Sequence, residues 1–154
     1  MTEESTTPDL VEVAREVFEA ASRRDVDAMM SLYAPDAVWE AHPLGEALEG
    51  VAAIRGFLEG WFSSYEAYQA TPEEILDLGS GVALAVIIHE GRLAGSNSEL
   101  RVRDAHIYEW REGMIVRTTV YTDIDEGRAA AERLAEERGQ AMSQDGELPP
   151  ACEA

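Results

Sequence analysis

The sequence predicts a single α+β domain. Helical periodicity fills its first third, four long strand-like runs occupy its second half, and a final helical run follows them. A chain of 154 residues with 45% apolar side chains can bury one core of ordinary size. The domain is expected over residues 8–138, after a flexible segment 1–7 and before an acidic, mobile tail 139–154.

The segment TPDLVEVAREVFEAASRRD opens with Thr7 as a candidate N-cap and Pro8 at the first helical position. Leu10, Val13 and Val17, followed by Ala20 or Ala21, recur at helical spacing, with Glu12, Arg15, Glu16 and Glu19 outside. A second, short helix starts after Asp25, carries Val26, Met29, Met30 and Tyr33, and stops at Pro35. AVWEA, residues 37–41, reads as a short strand and HPLGEALEG as a loop. GVAAIRGFLEGWFSSY is a third helix with Val51, Ile54, Phe57, Leu58, Trp61 and Tyr65 on one broad face. Its Gly56 and Gly60 each weaken the helix by about 1 kcal/mol relative to Ala, which points to close packing against a sheet.

After Tyr65 the period becomes strand-like. EAYQATPEEILDL, GVALAVIIHEGRLAG, LRVRDAHIYEWREG and MIVRTTVYTDI are four strands, broken at Gly79–Gly81, around Gly95–Ser98 and at Glu112–Gly113. The last break is a two-residue hairpin turn. DEGRAAAERLAEERGQ is helical, and beyond Gln140 the composition turns to Ser, Gly, Pro and acid. A long antiparallel sheet with helices on one face leaves a hollow between the layers, and that hollow is the expected site.

Charge narrows the partners. The formal net charge is −19 and all 12 cationic residues are Arg. Such a balance repels nucleic acid and anionic lipid, so neither is an expected partner. No apolar run approaches the roughly 20 residues of a membrane span. The start, MTEESTTPD, is polar and acidic with no signal-peptide pattern, so a cytoplasmic location is expected. Cys152 is the single cysteine and can form no internal disulfide. The three His show no metal-site spacing along the chain, so neither a metal nor another cofactor is expected.

The order of elements, together with RRDVDAMMSLYAPDAVWE, GVAAIRGFLEGWF and YEWREGMIVRTTVYTDIDEGRAA, resembles the NTF2-like superfamily. Within it the chain is most similar to the SnoaL-like branch, which includes ketosteroid isomerase and polyketide cyclases. The resemblance spans about 130 residues. It implies a cone: a curved antiparallel sheet with three N-terminal helices packed on its concave face. It also implies a homodimer and a pocket for a small, mostly apolar molecule.

Residue by residue, the resemblance is partial. The steroid isomerases carry a catalytic Asp just after the first strand, before a Pro. In the matching stretch AVWEAHPLG that residue is His42, with one extra residue between strand and Pro43. An imidazole, with an ordinary pKa of about 6.5, suits general-base work near neutrality. The isomerases' second, protonated Asp corresponds to His106 in RVRDAHIYEW. Alternation along a strand puts Asp104, His106, Tyr108 and Trp110 in one row, with Ala105, Ile107 and Glu109 opposite. Asp104 would orient His106 and Tyr108 would supply a second donor; alternatively Asp104 and His106 merely satisfy one another.

The isomerases' oxyanion-hole Tyr corresponds to Val17, which argues against steroid isomerisation. Arg101, Arg103, Asp104 and Asn97 do not reproduce an epoxide-hydrolase set, because Arg103 and Asp104 point to opposite faces. His89 reads better as the exposed end of its strand than as a cavity residue. Val17, Trp39, Trp61, Trp110 and Tyr121 are the expected pocket lining, although Trp residues such as Trp39 and Trp61 are more often core than ligand platform. The expected function is that of a small-molecule pocket protein. It is either a cofactor-independent isomerase, cyclase or hydrolase using His acid/base chemistry or a non-catalytic binding or dimerisation module.

Overall fold

The structure, a computed structural model, describes residues 9–42 and 46–147, with side chains described for 9–41 and 47–141. Helix α1 (Leu10–Ser22) is capped by Asp9, whose Oδ1 accepts from the amide of Val11 at 3.1 Å. The expected cap Thr7 and first-turn Pro8 lie outside the described residues. Helix α2 (Val26–Met30) has the expected cap, Asp25, which accepts from Ala28 N at 3.0 Å. Next come β1 (Tyr33–His42) and β2 (Glu46–Glu49), followed by α3 (Val51–Ser63). Then β3 (Tyr65–Gly79), β4 (Val82–Leu93), β5 (Glu99–Arg111) and β6 (Met114–Tyr121) run in succession to α4 (Ile124–Glu147). No helix among the described residues is long and apolar enough to cross a membrane.

The six strands form one curved sheet in the order β2-β1-β6-β5-β4-β3. Hairpins make β3 to β6 antiparallel, whereas β1 lies parallel to β6. A parallel pair needs a long crossover, and here the whole chain from β2 to β5 supplies it. Two sequence expectations change. β1 starts at Tyr33, so Pro35 lies within the strand, where the pairing to β6 is irregular between Tyr33 and Val38. Part of the expected loop HPLGEALEG is strand β2, a short edge partner of β1.

Both faces of the sheet are covered. Helices α1 to α3 bury Val17, Phe18, Ile54, Leu58 and Phe62 against Ala83, Ala85, Ile87 and Tyr108 on one face. Helix α4 lays Ala131 and Ala135 over Val82, Leu84, Ala105 and Ile107 on the other. It also continues past Gln140, where a mobile tail was expected, to Glu147. Tyr33 OH and Thr118 Oγ1, 2.9 Å apart, satisfy each other within the first layer.

Glycine placement corrects a further expectation. Gly56 and Gly60 face open space, with nothing within 4 Å of where a Cβ would stand. They do not mediate packing. The close approach is at Gly127 of α4, where a Cβ would stand 2.8 Å from the Cβ of Ala105 and 3.1 Å from that of Tyr121. In the β5–β6 turn, Glu112 (φ 55°) and Gly113 (φ 82°) are both left-handed, as a two-residue hairpin requires.

Gly56→Ala and Gly60→Ala should each raise unfolding free energy by up to about 1 kcal/mol. Gly127→Ala should lower it by about 1–3 kcal/mol through overpacking. Urea denaturation of the three variants measures both signs.

Candidate active site

A cavity of about 370 Å³ lies between the helical layer and the sheet. Val17, Phe18 and Ala21 of α1, Phe57, Leu58, Trp61 and Phe62 of α3, and Trp39 of β1 form its helical side and one edge. Tyr68, Ala70, His89, Asp104, His106 and Tyr108 form its sheet wall. Phe57 (45% exposed) and Val102 (39% exposed) are the most open lining residues and mark the mouth.

Inside this apolar shell the polar groups are connected. His89 Nε2 is 2.9 Å from Asp104 Oδ1, and His106 Nε2 is 3.1 Å from the same oxygen. The far nitrogen of each imidazole meets a phenol: His89 Nδ1 lies 2.6 Å from Tyr68 OH, and His106 Nδ1 lies 3.3 Å from Tyr108 OH. Phe18 and Trp39 stand edge-on to the His106 ring, at centroid separations of 5.8 and 6.2 Å. These rings limit the orientations open to the imidazole. One arrangement of hydrogens satisfies the whole chain with both imidazoles neutral: each Nε2–H points to Asp104, and each phenol donates to Nδ1.

The register of the sheet produces this convergence. Antiparallel partners share a face, and the pairs Ala85–His106, Ile87–Asp104 and His89–Val102 put the odd residues of β4 beside the even residues of β5. His89 and Asp104 are diagonal neighbours across that ladder, within reach of long side chains.

Burial alone would raise the Asp104 carboxyl pKa. The imidazoles of His106 and then His89 outweigh it and hold the group well below the usual carboxylate range. The phenols go the other way. Burial pushes Tyr108 well up, reinforced by Tyr33, Asp104 and Tyr68; burial likewise raises Tyr68 despite a hydrogen bond from Trp61. Asp104 is therefore an anion at neutral pH, and both phenols keep their protons.

The expected row is present. Asp104, His106, Tyr108 and Trp110 share the face toward α1–α3, while Ala105 and Ile107 face α4. Val17, Trp39 and Trp61 line the cavity, but Trp110 and Tyr121 are not among its lining residues. Trp110 is core, its ring 5.5 Å from that of Tyr108. Tyr121 packs with the α4 layer because the β5–β6 register slips by one between Glu109 and Trp110, pairing Tyr121 with Ala105. His42 ends β1 in register with Tyr121, and its side chain lies outside the described residues.

The larger correction is His89. It is 9% exposed and faces the cavity, not the exposed end of its strand. Its parity with His106 was available from the hairpin, but β4 is buried on both faces from Val82 to Ile87 and shows no alternation there. Tyr68 was not singled out at all. A register shift between Tyr65 and Ala67 breaks the period of two there. Chain spacing carried no metal signal, yet the fold brings the ligating atoms of His89, Asp104 and His106 within 4.8 Å of one another.

A cone-shaped α+β domain with an aromatic cavity over a polar floor is the architecture of NTF2-like pocket proteins. The SnoaL-like domain model matches residues 14–118, and the chain belongs to that family. No curated protein matches it by sequence. Among solved structures, a putative polyketide cyclase from Sinorhizobium meliloti is 27% identical, with a TM-score of 0.59 over 77% of this chain and 98% of that one. A ketosteroid isomerase-like protein from Catenulispora acidiphila, solved with trimethylamine, is 18% identical (TM-score 0.65, 78% and 92% covered). TerC, co-crystallised with polyporic acid, is 17% identical (TM-score 0.63, 80% and 97% covered).

The buried phenols predict alkaline behaviour. Unfolded Tyr ionises near pH 10, whereas Tyr33, Tyr68 and Tyr108 resist ionisation in the fold. Their contribution to stability is complete below about pH 10 and is lost as pH rises beyond it toward their raised folded values. Phenolate absorbance followed beside circular dichroism should show these three ionising only with unfolding. Ionisation of all five Tyr ahead of the loss of helix would contradict this.

Proposed function

We propose that this protein is an enzyme that binds a small, mostly apolar, oxygen-bearing molecule and moves a proton on it, as an isomerase, cyclase or related lyase or hydrolase would. The observation that carries the reading is the shared carboxylate: Asp104 Oδ1 meets both His89 Nε2 and His106 Nε2 at one wall of an aromatic cavity. A buried carboxylate anion fixes two imidazoles, so that one can take a proton while the other gives one. Tyr68 and Tyr108 are both kept protonated. A phenol that turns its O–H from Nδ1 to a carbonyl oxygen stabilises the charge that builds as the neighbouring C–H bond breaks, while freeing that Nδ1 to take the proton.

In this reading His106 is an acid/base group anchored by Asp104; the sequence had made it the hydrogen-bond donor or second acid/base group. The partner imidazole is His89, where the sequence had favoured His42. The rings of Phe18, Trp39 and Trp61 favour a flat, cyclic substrate. The solved relatives are consistent with such a pocket, one being a putative polyketide cyclase and another having been crystallised with polyporic acid.

The test is a panel of small cyclic ketones and hydroxyquinones, screened first by quenching of Trp39 and Trp61 fluorescence. Binders are then followed by NMR in heavy water for exchange of protons next to the carbonyl, with chelator-treated and with metal-supplemented protein. At least one binder should exchange faster with the protein, and Asp104→Asn or His106→Ala should slow that exchange about 100-fold or more while binding changes little. Binding without exchange or turnover for every compound would favour the non-catalytic pocket.

A further inference from the structure

We infer that His89, Asp104 and His106 form a binding site for one divalent transition-metal ion whose open coordination positions face the aromatic cavity. This goes beyond the proton-transfer reading, although it uses the same three side chains.

The geometry comes first. Bonds of about 2.1 Å at tetrahedral or octahedral angles separate neighbouring ligand atoms by roughly 3.0–3.4 Å. Asp104 Oδ1 stands 2.9 Å from His89 Nε2 and 3.1 Å from His106 Nε2, close to those separations. One potential ligand atom from each of the three residues lies within 4.8 Å of the other two. The two strands that carry them are locked in register, so the cluster is already assembled.

The outer contacts fit as well. A metal-bound imidazole needs a partner for its second nitrogen, which fixes its tautomer and ring plane. Both have one, Tyr68 OH at 2.6 Å for His89 and Tyr108 OH at 3.3 Å for His106. With the Nε2 atoms on a metal, each Nδ1–H would donate to its phenol. With its oxygen accepting from His89, the hydroxyl hydrogen of Tyr68 would be free for a molecule in the cavity.

Charge points the same way. Asp104 is largely buried, and its ion-pair partners among the described residues are the two imidazoles alone. Its sequence neighbour Arg103 pairs with Glu73 at 2.7 Å. No Arg pairs with this carboxylate among the described residues, so a bound cation would compensate its burial. Two imidazoles and one carboxylate suit Zn²⁺, Co²⁺ or Fe²⁺ better than Ca²⁺ or Mg²⁺, which prefer all-oxygen shells.

The experiment is a Co²⁺ titration of chelator-stripped full-length protein, read by visible absorption, followed by displacement with Zn²⁺ and by calorimetry. One ion per chain with a Kd below about 10 μM and an absorption spectrum unlike that of aqueous Co²⁺ is expected. His89→Ala, His106→Ala and Asp104→Ala should each weaken binding at least about 100-fold, and Tyr68→Phe about tenfold. Glu136→Gln, on the exposed side of α4, should change nothing; a loss there would assign the binding to the acidic surface. Zn²⁺-induced shifts of the His89 and His106 ring resonances provide a readout on the unmutated protein. Failure to saturate, an unaltered aqueous spectrum, or equal affinity in the three ligand variants would overturn the site and leave the cluster held by a shared proton. That outcome is separable from the function above, because proton exchange is measured with chelator present as well.

Discussion

The centre of this molecule depends on the pairing between β4 and β5, where every residue from Val82 to Arg92 has a fixed partner. Because side chains alternate, this ladder sorts two populations. His89, Asp104, His106 and Tyr108 go toward the helical layer, and Val82, Leu84, Ala105 and Ile107 go toward α4. A slip of β5 by one residue would drive Asp104 and His106 into the tight α4 interface and put plain aliphatics into the cavity, and a slip of β4 would do the same to His89. Burial on both faces therefore specifies the register from two sides at once, and the polar site inherits that precision.

How far the sequence revealed this can be judged element by element. The long strands and α1, α3 and α4 follow from periodicity, and the row Asp104–His106–Tyr108–Trp110 follows from alternation within one uninterrupted strand. Readings failed where a ladder slips. The irregularity beside Trp110 turns Tyr121 over to the α4 side, and the shift after Tyr65 hides Tyr68. Reading His89 required knowing that β4 is buried on both faces over Val82–Ile87, a fact about tertiary layers that the apolar run itself conceals. The glycines were misread because helix position alone does not say what lies beyond a missing Cβ: open space at Gly56 and Gly60, the Ala105 methyl at Gly127.

The polar cluster is compatible with its apolar surroundings because its principal groups answer one another. One carboxylate oxygen serves two imidazoles, and each imidazole has a phenol behind it. Half-satisfied networks of this kind are costly, whereas a complete one specifies geometry. The edge-on rings of Phe18 and Trp39 then stiffen the cluster without adding a competing polar atom. The groups that give the cluster its rigidity are the same ones that carry its polar chemistry, so substitutions among them will affect both.

A quieter feature concerns alanine. Three members of the cluster each sit beside an Ala on a neighbouring strand: His89 beside Ala70, His106 beside Ala85, and Tyr108 beside Ala83. The bulky functional rings thus occupy lateral room that their small neighbours leave vacant. Pocket dimensions and pocket chemistry are consequently written at different positions, largely on different strands. Exchanging the methyl of Ala70, which lines the cavity, for a larger group would reshape what fits while leaving every titrating atom in the chain. Such a scaffold can change the shape of its cavity through a handful of small, apolar substitutions, with its polar cluster untouched.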